Sequence, residues 1–445
     1  MLVIRKLALT ILALLALLAA HAQAPGSAQK SGNNQAQPAA VVLTLADALA
    51  RAKANSPQFQ AAVTDLGLAR EDRFQARAAL LPGVDYNNSF LYTQGNGTAT
   101  GRYVGANGVH EYISQGVAHE SIGAAQVLDY RRAAAAHALA KARAEIAARG
   151  LTVTVVQGFY GLLTAQTRTV NAERAFHEGQ HFLELSQKLE EGGEVAHSDT
   201  IKAQIQANDL QRARDEAKLA DQNARLSLAV LLFPNFFQDF TLVNDLSATP
   251  ALPPMLELQD MAAKNNPELQ AAFAALAVAN KQVGVARAGY LPTLAVDMFY
   301  GIDANQFAKR APDGMENLGY AGTATLNIPV WNWGATQSKV RQAELLRHQA
   351  QVELSAAQRQ AIADLQSFYS EAQLSYQQLR TLQQTAELAE QSLRLTNLRY
   401  QAGEASALEV VDAQNTLTAA GNSYHDGEAR YHLALANLQT LTGAF

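Results

Sequence analysis

From residue 55 onward the chain alternates between two hydrophobic patterns, and the alternation occurs twice. Apolar positions recur at spacings of three and four through long stretches, then at every second residue through short ones. In the last long stretch Val410, Ala413, Leu417, Ala420, Tyr424, Gly427, Tyr431, Ala434, Leu438 and Leu441 form a heptad seam. Leu379, Leu382, Ala386, Ala389, Leu393, Thr396 and Tyr400 form a second. The two meet at Gly403, where glycine can adopt the left-handed backbone that ends a helix. No proline occurs between Pro82 and Pro234 or after Pro329, so long uninterrupted helices fit only in those stretches. The pattern predicts a long antiparallel helical hairpin in each half, with tips at Gly192-Gly193 and at Gly403. Soluble helical bundles carry such seams too, so the helices alone do not decide the class.

The period-two stretches carry more. In VDYNNSFLY (84–92), Val84, Tyr86, Phe90 and Tyr92 share one face, opposite Asp85, Asn87 and Ser89. LAVDMFYGI (294–302) and LGYAGTATLNI (318–328) alternate in the same way, while the segment near VHEYISQGV (109–117) is weakly patterned. These predict β-hairpins at about 84–117 and 294–328. Strands of this length, apolar on one face, polar on the other and with tyrosines near their ends, fit a transmembrane β-barrel. A small sheet capping a soluble bundle is the alternative. Single-chain barrels begin at about 8 strands, and open sheet edges cannot face lipid. Four strands per chain therefore require several chains to share one barrel.

Comparison of the chain with itself at a shift of 210 lays NSPQFQAAVTDLGLAREDRFQARAALLP (55–82) on NNPELQAAFAALAVANKQVGVARAGYLP (265–292), with 12 of 28 positions identical. Arg77 falls on Arg287 and Leu81-Pro82 on Leu291-Pro292. The same shift lays GGEVAHSDTIKAQ (192–204) on AGEASALEVVDAQ (402–414). Two repeats are expected, at 43–233 and 256–445, joined by a linker at 234–255. Residues 1–22, with Arg5 and Lys6 before an apolar run from Leu7 to Leu18, read as a secretory signal peptide, and the Gln, Gly and Ser-containing stretch 23–42 reads as a flexible linker. Past the signal, no apolar run long enough to span a membrane as a helix is expected.

Composition narrows the classes further. The chain has no cysteine, which removes disulfides and thiolate metal sites. Its formal charge of −5 becomes −7 without Arg5 and Lys6, and no basic stripe suits nucleic acid. HEGQH (177–181) matches the H-E-x-x-H zinc-peptidase pattern. A catalytic zinc needs a third protein ligand, however, and Glu184 and Gln187 occupy the positions where an extended motif would carry glycine and histidine. A solvated helix face is the expected reading.

LNIPVWNWGATQSKVRQAE (326–344) and NLRYQAGEASALEVVDAQNTL (397–417), with the duplicated Ser-Pro/Asn-Pro and Leu-Pro landmarks, resemble the TolC family of outer-membrane efflux channels over nearly the whole mature chain. The resemblance implies a mainly α protein with a membrane β-barrel, in which a homotrimer builds a 12-stranded barrel in outer-membrane lipid above a periplasmic helical tunnel. It implies a periplasmic adaptor and an inner-membrane pump or exporter as partners, as in tripartite efflux and type I secretion, with no cofactor and no chemistry. The expected helix lengths agree: 126–192 and 334–402 descend over ~100 Å, and the two-piece returns of 60 and 61 residues match them.

The resemblance also places a periplasmic gate at Glu409 and Asp412, with Asp199 as a further candidate. The exposed tips, with Gly193, Glu194, Arg399, Tyr400, Gly403 and Glu404, are the candidates for the adaptor contact. Where some relatives carry an arginine two residues past the tip glycine that helps lock the closed state, this chain has Ala405. Three functions remain: an export channel, a periplasmic coiled-coil scaffold without a barrel, and a zinc peptidase using HEGQH.

Overall fold

A computed structural model describes residues 41–92 and 110–443. The predicted signal peptide, most of the predicted linker and the connection 93–109 lie outside the described residues. The linker's predicted last residues belong instead to a short strand, β1 (Val41–Leu43), which pairs with β4 (Phe240–Leu242) in a two-stranded sheet.

The remaining elements come in two matching series. The first is α1 (Leu45–Asn55), α2 (Pro57–Ala78), β2 (Gly83–Tyr92), β3 (His110–Gly123), α3 (Ala124–Glu191) and α4 (His197–Leu232). The second is α5 (Met255–Asn265), α6 (Pro267–Ala288), β5 (Thr293–Ala304), β6 (Leu318–Asn327), α7 (Ala335–Gln401) and α8 (Ala407–Thr442). The helix lengths run 11, 22, 68 and 36 residues in the first series and 11, 22, 67 and 36 in the second.

The repeated Ser-Pro and Asn-Pro landmarks have a local cause. Ser56 accepts a hydrogen bond from Phe59 N at 3.3 Å, and Asn266 Oδ1 accepts from Glu268 N and Leu269 N at 2.9 and 3.0 Å. Each caps the helix that its proline opens, while the residue before proline is turned out of helical backbone and ends the preceding helix. One dipeptide thus stacks two helices end to end.

In the first half α3 packs on α4, and in the second α7 packs on α8; α2, α3, α6 and α7 are neighbours in that order. Every residue of the two predicted seams is buried or half-buried. Gly427 shows why small residues recur there: a Cβ at this position would lie 2.7 Å from Leu382 Cδ1. One core cluster joins Leu365, Ala372 and Leu379 of α7 to Tyr431, Ala434 and Leu438 of α8 and to Leu258 of α5. The segment between the halves is fastened to α8, with the Tyr431 hydroxyl donating to Pro250 O and His432 Nε2 3.0 Å from Leu246 O.

One expectation is corrected. α3 does contain an 18-residue window apolar enough to cross a membrane, with mean hydropathy 1.3. Buried α3 side chains such as Val155, Phe159 and Leu162 show that much of its apolar surface serves the packed core.

Candidate functional site: strand faces and helical tips

The long strands form one antiparallel sheet in the order β2-β3-β5-β6. Directly paired residues of an antiparallel sheet share a face, so the register sorts every side chain. Tyr86 pairs with Gly116, Gly116 with Tyr300, and Tyr300 with Tyr320. That face also holds Val84, Phe90, Ile122, Leu294, Val296, Met298 and Leu326. Its few polar groups include Ser114, whose hydroxyl donates to Asn88 Oδ1 at 2.7 Å and lies 2.9 Å from Tyr86 Oη. The opposite face carries Asp85, Asn87, Gln115, His119, Asp297, Thr323 and Thr325, with His119 Nδ1 2.6 Å from Asp297 Oδ1. The weakly patterned segment is therefore a full strand of 14 residues, longer than expected. The outer edges of β2 and β6 have no partner within the described residues of the chain.

At the other end of the helices, both hairpins close on the same turn. Gly193 and Gly403 have φ of 72° and 75°. Glu194 N bonds Leu189 O and Gly193 N bonds Glu190 O, while Glu404 N bonds Arg399 O and Gly403 N bonds Tyr400 O. These are Schellman turns, in which glycine avoids the steric cost of the left-handed backbone.

The two tips are locked together rather than standing apart. Phe182, Ala203, Tyr400, Ala407 and Val410 form a buried cluster, with the Phe182 and Tyr400 rings edge-on at 5.1 Å. The Tyr400 hydroxyl lies 2.9 Å from Ser186 Oγ, which itself donates to Phe182 O. Burial raises the Tyr400 phenol above its ordinary value. Tyr400, expected as an outward contact, is therefore corrected: at 2% exposure it is the bolt between the hairpins.

Glu409 also has a role that its spacing had not disclosed. Ser406 caps α8 by accepting from Glu409 N, while Glu409 Oε1 accepts from Ser406 N at 3.0 Å, a reciprocal capping box. Arg399 reaches over the turn to Glu409 Oε2 at 3.3 Å and to Glu404 O at 3.1 Å. The Ser406 backbone donor, followed by its side chain, holds the Glu409 carboxyl below the usual carboxylate range, and Arg399 adds to this. The signal was legible as Ser-x-x-Glu at 406–409. Asp412 is exposed one helical turn along, and Asp199 is half-buried with Lys202 Nζ at 3.8 Å. Ala405 packs on the buried cluster, so the cation beside Glu409 comes from Arg399, on the helix before the turn.

HEGQH divides between faces of α3. His177 and His181 are exposed. Gly179 is buried against α4, where a Cβ would come within 2.5 Å of Leu210 Cδ1. Glu178 is half-buried between Arg174 and Glu390 of α7, and burial raises its carboxyl above the ordinary value. Among the described residues no three metal-binding side chains converge.

The family described as Outer membrane efflux protein matches residues 258–444. The Alkaline protease secretion protein AprF of Pseudomonas aeruginosa is 25% identical over 414 residues, covering 91% of this chain and 85% of that protein. The Outer membrane protein TolC of Vibrio cholerae is 25% identical over 404 residues, 90% of each. The crystal structure of the Campylobacter jejuni CmeC outer membrane channel superimposes with a TM-score of 0.78 at 16% identity, covering 90% of this chain and 85% of that one. The matches support a TolC-type outer-membrane efflux channel: the family model covers most of the second repeat, and the full-length relatives span both repeats.

A TolC-family chain is a passive conduit in the outer membrane with a large helical part in the periplasm, and not an enzyme. The peptidase reading of HEGQH and the scaffold reading without a barrel both fall. The polar strand face is the one suited to a water-filled bore, and the apolar face the one suited to lipid.

Proposed function

We propose that three copies complete a 12-stranded barrel and a shared helical tunnel, and that the tips of α3/α4 and α7/α8 form its periplasmic gate. The observation that carries this reading is the two-faced sheet with both edges unpaired among the described residues. Such a sheet can enter lipid only if each edge pairs with another copy. A periplasmic adaptor that binds the open tips better than the closed ones would shift the equilibrium toward opening, and an inner-membrane pump or exporter would drive the cargo. AprF is named for the secretion of a protease, which supports an exporter as one form of that partner.

In the gate, Asp412 is the exposed carboxylate, Asp199 stands in the first turn of α4 on the other hairpin, and Glu409 is braced by Arg399. Threefold repetition makes each position a ring at the narrow end, where carboxylates attract cations. Gly193, Glu194, Arg399, Gly403 and Glu404, without Tyr400, form the outward contact for the adaptor.

The test is single-channel recording in planar bilayers. Asp412→Ala together with Glu409→Ala is expected to raise conductance and weaken cation selectivity, whereas Ser406→Ala, which removes the helix cap and one hydrogen bond to Glu409 but keeps both carboxylates, is expected to leave selectivity unchanged. Unaltered conductance and selectivity in the double variant reject the gate assignment.

A further inference from the structure

Charge along this chain is sorted by height in the fold. The twenty residues adjoining each strand on its helical side, 63–82, 124–143, 273–292 and 328–347, hold twelve Lys and Arg against five Asp and Glu, a net of +7. The twenty residues on either side of each tip, 172–211 and 382–421, hold five against thirteen, a net of −8. The four long strands contain five acidic residues and no Lys or Arg. A chain of net charge −5 thus wears a basic collar directly beneath its sheet. The net charge of a collar does not depend on how copies pack, because a second copy brings the same excess.

A second feature occupies the same level. Pro329 to Gly334 turn the end of β6 into α7 through two residues with positive φ, Trp333 at 55° and Gly334 at 81°. The turn displays Val330, Trp331 and Trp333 at 88%, 75% and 89% exposure, the two indoles edge-on at 5.8 Å. Trp331 shares a hollow of about 300 Å³ with Tyr290, three residues beyond Arg287. Arg287 and its repeat counterpart Arg77 are exposed in the last turns of α6 and α2. Tryptophan with a wet edge and an apolar body settles at the headgroup level of a bilayer, and clustered Lys and Arg beside a membrane attract anionic headgroups.

We propose that this junction is a seat for anionic phospholipid of the periplasmic leaflet: Trp331 and Trp333 lie at headgroup depth, and the collar that begins at Arg77, Arg131 and Arg287 selects anionic over zwitterionic lipid. The assignment rests on the outer-membrane channel reading. It adds a lipid preference and names the residues that set it.

The chain supplies its own probe, because Trp331 and Trp333 are its only tryptophans. The full-length protein is reconstituted in phosphatidylethanolamine vesicles containing dibrominated phosphatidylglycerol or, at equal mole fraction, dibrominated phosphatidylcholine. Intrinsic fluorescence is read, and conductance of the same preparation is recorded in parallel. Brominated phosphatidylglycerol is expected to quench about twofold more than the phosphatidylcholine. The difference is expected to vanish in about 1 M salt, where the Debye length falls to ~3 Å, and to shrink in Arg77→Gln/Arg287→Gln.

Equal quenching by both lipids overturns the proposal, as does a double variant that conducts normally and keeps the full preference. Absence of quenching by either lipid in a conducting channel places the indoles between chains or in water and overturns it too. Loss of both quenching and conductance counts against the shared barrel itself.

Discussion

Glu178 is the residue that a zinc peptidase would need as its base, and its surroundings give it a different consequence. Burial between α3 and α7 raises its carboxyl above the ordinary value of 4.5, and Glu390 pushes in the same direction against Arg174. A folded state that holds its proton more tightly than the unfolded one is favoured at low pH and loses that advantage as pH rises through the raised value. Glu178→Gln is therefore expected to raise thermal stability at neutral pH, with the gain disappearing below about pH 4.5; scanning calorimetry at both pH values checks it. The next residue acts by size. Gly179→Leu must displace Leu210 from the α3/α4 contact, and overpacking of this kind costs about 1 to 3 kcal/mol, measurable by denaturant unfolding.

Among elements, the tips show what a sequence makes legible and what it does not. Gly193 and Gly403 announced the hairpin ends because only glycine takes positive φ at little cost, and Pro234 and Pro329 stand close to the end of α4 and the start of α7. Ser406 and Glu409 were equally explicit as a capping box, but a pair of carboxylates three residues apart drew the reading toward a charged ring. Tyr400 was read both as the last seam position and as an outward contact; the seam reading holds, and its partners Phe182 and Ser186 come from a hairpin more than 200 positions away. β3 read weakly because it is paired on both sides and carries Gly116 and Ala118 on its apolar face. No space around Gly403 is contested, so Gly403→Ala is expected to cost only the left-handed backbone penalty, about 1 to 2 kcal/mol, and Ser406→Ala about 1 kcal/mol. Since Glu409 has a lowered carboxyl value in the fold, its contribution is present above the ordinary 4.5 and lost as pH falls through the lowered value. Hydrogen exchange at the tips, compared at neutral and acid pH, reads all three effects.

For the whole molecule, the decisive asymmetry is between the two faces of one sheet, and two substitutions on paired strands separate them. Met298 lies on the apolar face and Thr325 on the polar one, a few residues apart along β5 and β6. If the apolar face meets lipid, Met298→Arg places a charge in hydrocarbon at a cost of about 2 to 4 kcal/mol near the midplane. Three copies multiply the penalty in a shared barrel. Thr325→Arg points into water and incurs no such penalty, but it adds a cation to a bore whose strands otherwise contribute only acidic fixed charge. Met298→Arg is accordingly expected to lower the yield of heat-modifiable trimer in membranes, while Thr325→Arg assembles normally and shifts selectivity toward anions. The reverse result, normal assembly of the first and failure of the second, would turn the sheet inside out. Equal tolerance of both would mean that neither face meets lipid and that the strands cover the helices in water.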